Sequence, residues 1–176
     1  MRNQLLEIKL ERSTLRDWRP SDVEALVRNA DNYNVWRNVR DHFPNPYTVR
    51  AAESWIGSWA GVLPVTQFAI CVDGKASGGI GIMLKEDVHR RMAEIGYWLG
   101  ESYWGQGIVT EAVKAMTEYA FSNFDLCRLS AYVFEWNPGS ARVLEKAGYQ
   151  LEGRLRKSVT KEGQTIDALL YAKVVA

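Results

Sequence analysis

The chain has 176 residues, 47% of them hydrophobic and 24% charged, which fits one globular domain and excludes extended disorder. Twenty-two basic and 21 acidic residues leave a formal net charge of +1, so no global field points to nucleic acid or an anionic membrane. Two distant cysteines and two histidines, none at metal-ligand spacing, give no basis for a metal site.

No stretch reaches the roughly 18 apolar residues of a membrane span. The first twelve residues lack the apolar core of a secretory signal, so the expected compartment is the cytoplasm. No repeat, low-complexity tract or linker interrupts the chain, and a single domain over 1–176 is expected.

Residues 5–16 alternate loosely and predict a first strand. Arg19-Pro-Ser-Asp opens a helix, with Ser21 or Asp22 as its cap and Val23, Leu26, Val27 and Ala30 on its apolar face. Phe43-Pro-Asn-Pro-Tyr reads as a rigid aromatic loop, because two prolines flank one residue. Thr48 is the expected cap of a second helix, whose Ala51, Ala52, Trp55, Ile56 and Trp59 recur at helical spacing. Core packing is the expected duty of Trp36, Trp55 and Trp59.

Residues 67–72 and 78–84, joined through Asp73-Gly74-Lys75, read as a β-hairpin, and 93–99 as the next strand. Residues 107–124 carry the strongest helical pattern, with Ile108, Ala112, Met116, Tyr119 and Ala120 on one face. A strand follows at 128–134, then a short helix at 140–147 ended by Gly148. Two closing strands fall at 149–160 and 164–175. Cys71 and Cys127 are expected in strands as small buried hydrophobes. The order β-α-α-β-β-β-α-β-α-β-β predicts an α/β fold with a mixed sheet.

Tyr103-Trp-Gly-Gln-Gly-Ile-Val-Thr-Glu joins a predicted strand to the long helix. Glycines let a backbone approach a ligand closely, and the first N–H groups of a helix, lacking internal partners, suit phosphate oxygens. Taken alone, Gly-x-Gly is equally a tight strand-to-helix turn. A P-loop would need Gly-Lys-Ser/Thr, and a dinucleotide fold a third glycine near the first strand; neither is present.

A second segment, Phe134-Glu-Trp-Asn-Pro-Gly-Ser-Ala-Arg-Val-Leu-Glu-Lys-Ala-Gly-Tyr, follows the next strand. In order and spacing, the two segments resemble the motifs of the GNAT acetyltransferase superfamily. They look most like its RimJ/RimL branch of ribosomal-protein N-terminal acetyltransferases, through Tyr-Trp-Gly-x-Gly-x-x-Thr-Glu-Ala at 103–112 and Asn-x-x-Ser at 137–140. The resemblance runs from Leu-Arg-x-Trp at Leu15 to the final strand pair. Trp104 stands where Gln or Arg is usual and Val109 where Gly or Ala is usual, and the branch tolerates both.

The resemblance implies acetyl transfer from acetyl-CoA straight to a primary amine, without metal, on a sheet splayed between 93–99 and 128–134. It assigns the pantetheine to the backbone of Trp98, Leu99 and Gly100. The pyrophosphate falls to Trp104, Gly105, Gln106, Gly107, Ile108, Val109 and Thr110, and Asn137 is given to the pantetheine arm. A main-chain N–H near Trp98 becomes the oxyanion donor.

Many members carry a tyrosine that protonates the leaving thiolate. Glu145 occupies that position here, and a carboxylate there, which would be ionised at neutral pH unless buried, is a poor acid. Ser140 therefore becomes the candidate, by itself or through a water. Glu94 is the candidate base, with solvent exposure as its alternative; Glu135 is the second, with an arginine pair as its alternative.

A protein or peptide N-terminal α-amine is the expected acceptor, because its pKa of about 7.7–8.0 frees the neutral form far more readily than a lysine at about 10.4. A small amine such as an antibiotic or polyamine is the alternative, and a catalytically silent acyl-CoA-binding regulatory domain is the second. Specificity is expected in residues 32–64. The resemblance leaves a homodimer open and implies neither nucleic acid nor membrane as partner.

Overall fold

The computed structural model describes residues 6–175. Its strands are β1 (Glu7–Lys9), β2 (Thr14–Arg16), β3 (Gln67–Val72), β4 (Lys75–Leu84), β5 (Met92–Leu99), β6 (Arg128–Phe134), β7 (Gln150–Lys161) and β8 (Gln164–Val174). They form one sheet in the order β1-β2-β3-β4-β5-β6-β8-β7. The helices are α1 (Val23–Ala30), α2 (Tyr33–Trp36), α3 (Val49–Trp59), α4 (Ile108–Asn123) and α5 (Pro138–Lys146). The sheet is mixed: β5 and β6 run parallel, whereas β1–β2, β2–β3, β3–β4, β6–β8 and β7–β8 are antiparallel.

Contacts divide the chain into two units. The first holds the residues up to Gly81 together with Tyr97–Ala112; the second holds Ile82–Gly96 and the residues from Val113 onward.

In the first unit, the strand expected over 5–16 is two short strands; Leu5 lies outside the described residues. Leu10 N–H donates to Ser13 O at 2.8 Å, which closes a turn at Glu11-Arg12 and folds β2 back on β1. α1 and α3 pack together and bury Leu26, Ala30, Ala52 and Ile56 with Trp18, Tyr47 and Cys71. Trp55 meets Trp18 edge-on at 6.3 Å and Trp59 at 5.8 Å, which is the packing duty expected of both. Trp36, also expected to pack, lies 6.0 Å from the half-exposed Tyr33 ring.

Asp22 does not cap α1. Its carboxylate takes two bonds from the Arg16 guanidinium, at 2.8 and 2.7 Å, and one from Arg19 N–H at 2.9 Å. A buried arginine needs a paired charge, and that demand outweighs one helix-end donor. Thr48 does cap α3, accepting Ala51 N–H at 3.2 Å. α2, absent from the sequence reading, is a single turn capped by Asn32, too short to show periodicity.

The β3–β4 turn is Asp73-Gly74, both left-handed at φ 48° and 76°. Such a two-residue turn lets pairing begin at once, Val72 against Lys75, so β4 starts three residues before the expected Gly78.

In the second unit, α4 contributes Val113, Met116 and Ala120, and β6 contributes Leu129, Ala131 and Val133, to a buried apolar set with Leu144 of α5. Thr117 Oγ1 lies 2.8 Å from Tyr149 Oη, tying α4 to the residue after Gly148. Gly148, at φ 84°, ends α5 as expected, and Lys173 Nζ donates to the Ala147 carbonyl at 3.1 Å. Cys127 departs from expectation: it precedes β6, is partly exposed and directs Sγ at Arg91 O, because β6 pairing begins only at Arg128. β7 breaks register twice, between Leu151 and Gly153 and between Leu155 and Val159, with Lys157 left-handed at φ 50°. No helix among the described residues is long and apolar enough to cross a membrane.

Candidate active site

Two glycines fix the end of β5. A Cβ on Gly78 would sit 2.4 Å from Trp98 O, and one on Gly100 would sit 2.3 Å from Asn29 Oδ1. The first gap is bounded by main chain and admits no methyl group, so β4 closes on β5 because Gly78 lacks a side chain, whereas a methyl on Gly100 would displace the Asn29 side chain of α1. Gly100 N–H donates to Ser77 O at 2.8 Å, and the Leu99 carbonyl accepts Trp104 Nε1–H at 2.7 Å. Two of the main-chain groups expected at the pantetheine are therefore already engaged inside the first unit. Trp98 meets Phe43 edge-on at 5.4 Å, and Phe43 meets Tyr47 at 4.8 Å, so the aromatic loop walls the end of β5. Burial pushes the Tyr47 phenol up to about 12, and it is neutral at working pH.

The segment after β5 turns back through Glu101–Tyr103, where Asn32 and Asn34 both donate to the Glu101 carboxylate at 2.8 and 2.9 Å. Gly105 and Gly107 follow at φ 74° and 80°, a region costly for any residue with a Cβ. Gly107 O then accepts Glu111 N–H at 3.1 Å, the first bond of α4. The N–H groups of Ile108, Val109 and Thr110 precede that bond and have no partner within the helix. Ile108 is buried and anchors the helix start, whereas Gly105, Gln106 and Gly107 are exposed. Gln106 Nε2 folds back to Ser102 O at 3.2 Å, leaving its main chain for a ligand. Arg12 Nη1 lies 2.7 Å from Glu111 Oε1 and 3.5 Å from where a Gly107 Cβ would be. Open amides and left-handed glycines fit the diphosphate of an acyl-CoA.

In the second unit, residues 92–94 of β5 pair in parallel with 128–130 of β6. Glu94 stands opposite Ser130, is only 7% exposed and lies 3.4 Å from Lys85 Nζ. The solvent-facing alternative for Glu94 is thereby excluded. Asn137 caps α5, its Oδ1 accepting Ser140 N–H at 3.3 Å, so Nδ2 is the part of that side chain open to a ligand. Ser140 is half-buried in the first turn of α5. Glu135 pairs with Arg154 and accepts Asp167 N–H at 3.0 Å, the bland role foreseen for it.

The structure therefore gathers residues 98–110 at one end of β5 in the first unit. It sets Asn137 against Ser140, and Glu94 against Lys85, in the second. Arg12 and Lys85 escaped sequence reasoning: Arg12 meets Glu111 across 99 residues from the turn between β1 and β2, and Lys85 lies just past the end of β4, outside both motifs. Among the described residues no three His, Cys, Asp or Glu side chains stand close enough to hold a metal.

Residues 12–150 match the family described as acetyltransferase (GNAT) domain. The ribosomal-protein-serine acetyltransferase of Escherichia coli is 35% identical over 85 residues, 48% of this chain and 48% of that protein. The spermidine N(1)-acetyltransferase of Escherichia coli is 29% identical over 157 residues, 89% of this chain and 72% of that protein. The solved structure of Mycobacterium smegmatis RimJ in complex with CoA-disulfide superposes with a TM-score of 0.81 at 27% identity, covering 92% of this chain and 81% of that one. With most of its length inside the family match, the chain belongs to the GNAT acetyltransferase family and is an N-acetyltransferase.

Proposed function

We propose that this acetyl-CoA-dependent N-acetyltransferase acetylates the α-amine at the N-terminus of a protein or peptide. Acetyl-CoA, when bound, supplies the acetyl group as a thioester. Gly105 and Gly107 shape the turn, and the amides of Ile108, Val109 and Thr110 receive the diphosphate, with Trp104 and Gln106 completing the cradle. The backbone of Trp98 and Leu99 at the end of β5 receives the pantetheine, because the Gly100 amide and carbonyl are bonded to Ser77 and Tyr103, and Asn137 Nδ2 reaches its arm. A main-chain N–H at the end of β5 donates to the thioester oxygen as charge develops there. Glu94 accepts the proton of the incoming ammonium, directly or through a water. As the tetrahedral adduct collapses and the C–S bond breaks, the Ser140 hydroxyl, by itself or through a water, relays the remaining proton of the adduct's nitrogen to the departing thiolate and regains its own.

The acceptor class rests on the charge of residues 32–64, the segment that supplies the aromatic wall. Arg37, Arg40 and Arg50 oppose only Asp41 and Glu53 there. A polyamine brings several ammonium groups and needs carboxylates to receive them, so a surplus of arginine selects against it. A peptide N-terminus brings one ammonium that loses its proton near neutral pH. The similarity to a ribosomal-protein acetyltransferase supports this reading, and the similarity to a spermidine acetyltransferase defines its rival.

Thiol release from acetyl-CoA, measured against a panel of acceptors, tests it. Peptides with free Ser, Ala or Met termini are expected to exceed spermidine, an aminoglycoside and N-blocked lysine peptides in kcat/KM. Against lysine the margin is on the order of a hundredfold near neutral pH, from the neutral-amine fraction alone. Preference for spermidine or the aminoglycoside would overturn the acceptor class. Coenzyme binding without turnover on every acceptor would favour a silent domain.

A further inference from the structure

Glu111 lies on the first turn of α4, one residue beyond the amides assigned to the diphosphate. A bare carboxylate there would compete with an incoming anion for the same helix end and repel it. Among the described residues, Arg12 meets its charge. Arg12, in the turn between β1 and β2, donates Nη1–H to Oε1 at 2.7 Å and its main-chain N–H to Oε2 at 3.2 Å. The same guanidinium borders Gly107, and its Nη2 reaches Glu11 at 3.2 Å. The Arg12 side chain is half-exposed, so the pair adds little to fold stability. Its consequence falls on the charge beside the turn.

We propose that Arg12 is a positioning residue for the coenzyme: by neutralising Glu111 it keeps the turn at 105–110 receptive to a diphosphate. This rests on the reading that the turn holds the diphosphate. Arg12 acts through Glu111 and need not touch the ligand, which separates it from an ordinary phosphate-binding arginine.

Calorimetry with coenzyme A and kinetics with acetyl-CoA test the idea. Arg12→Ala is expected to raise the Kd for coenzyme A and the KM for acetyl-CoA about tenfold, with kcat nearly unchanged. Arg12→Lys, which keeps the charge, should stay near the parent values. The double variant Arg12→Ala/Glu111→Gln should recover to within about threefold of the parent, because the repelling charge is gone. With S-acetylpantetheine, a donor lacking the diphosphate, Arg12→Ala and the parent should be equal. A double variant as weak as Arg12→Ala would overturn the proposal, as would an equal loss with S-acetylpantetheine, which signals a structural role. Failure of coenzyme A to protect the amides of 108–110 from hydrogen exchange in the parent protein would instead remove the underlying reading.

Discussion

Glu94 carries the sharpest claim at the scale of single residues. Its carboxylate is buried, faces Lys85 Nζ and stands in register with Ser130, an environment built around a charge. Glu94→Gln keeps the shape and removes the base, so kcat should fall about a hundredfold or more while the Kd for coenzyme A holds. Steady-state thiol release with a peptide acceptor checks this, and undiminished turnover would strip Glu94 of the role. Its place at the start of the strand over 93–99 made it the candidate, but its burial was not legible, since a strand residue faces core or solvent according to pairing. Asp22 shows the same limit from the other side. Its position before α1 suggested a cap, and Arg16, six residues earlier, claimed it. Short-range rules see the neighbours of a side chain, whereas a buried charge answers to whichever partner the fold delivers.

At the scale of elements, α4 is held to the close of α5 through one phenol. Thr117 spends its own hydroxyl proton on Val113 O at 2.6 Å, so Tyr149 is the donor in their contact. Burial pushes Tyr149 up to about 12. A folded pKa above the unfolded value of about 10 means that the neutral phenol stabilises the fold fully below that pH. The contribution is then lost as pH climbs from about 10 through about 12, and Tyr47 adds in the same direction. Urea midpoints should be flat from about pH 7 to 9.5 and fall beyond 10. Tyr149→Phe should lose about 1 kcal/mol at pH 8 and show a shallower alkaline fall. A fall as steep as the parent's would refute the assignment. Most elements were legible beforehand: β6 occupies the same residues that its pattern predicted, and Gly148 ends α5 where a left-handed residue was expected. The misses were short pieces, α2 and the β1–β2 turn, whose few residues carry no period to read.

For the molecule as a whole, chain order gave the elements but not their neighbours. β8 inserts between β6 and β7, a choice made by pairing across more than thirty residues that no local pattern records. β4, β5 and α4 each contribute residues to both units, so neither unit owns a full set of elements. We therefore propose one cooperative domain over 1–176. Far-ultraviolet and near-ultraviolet dichroism should report coincident urea transitions, and two separated transitions would divide the domain. The register breaks of β7 bear on what this molecule does in a crowd. Strand β7 is 12 residues long and ends the sheet order, and an unbroken margin of that length would template a neighbouring chain. Its two irregularities, the left-handed Lys157 and the exposed Arg154 and Arg156 deny such a chain a continuous row of partners. The kinked outer strand thus guards against fibrous self-association at the concentrations where a protein with a flat, uncharged margin would begin to aggregate.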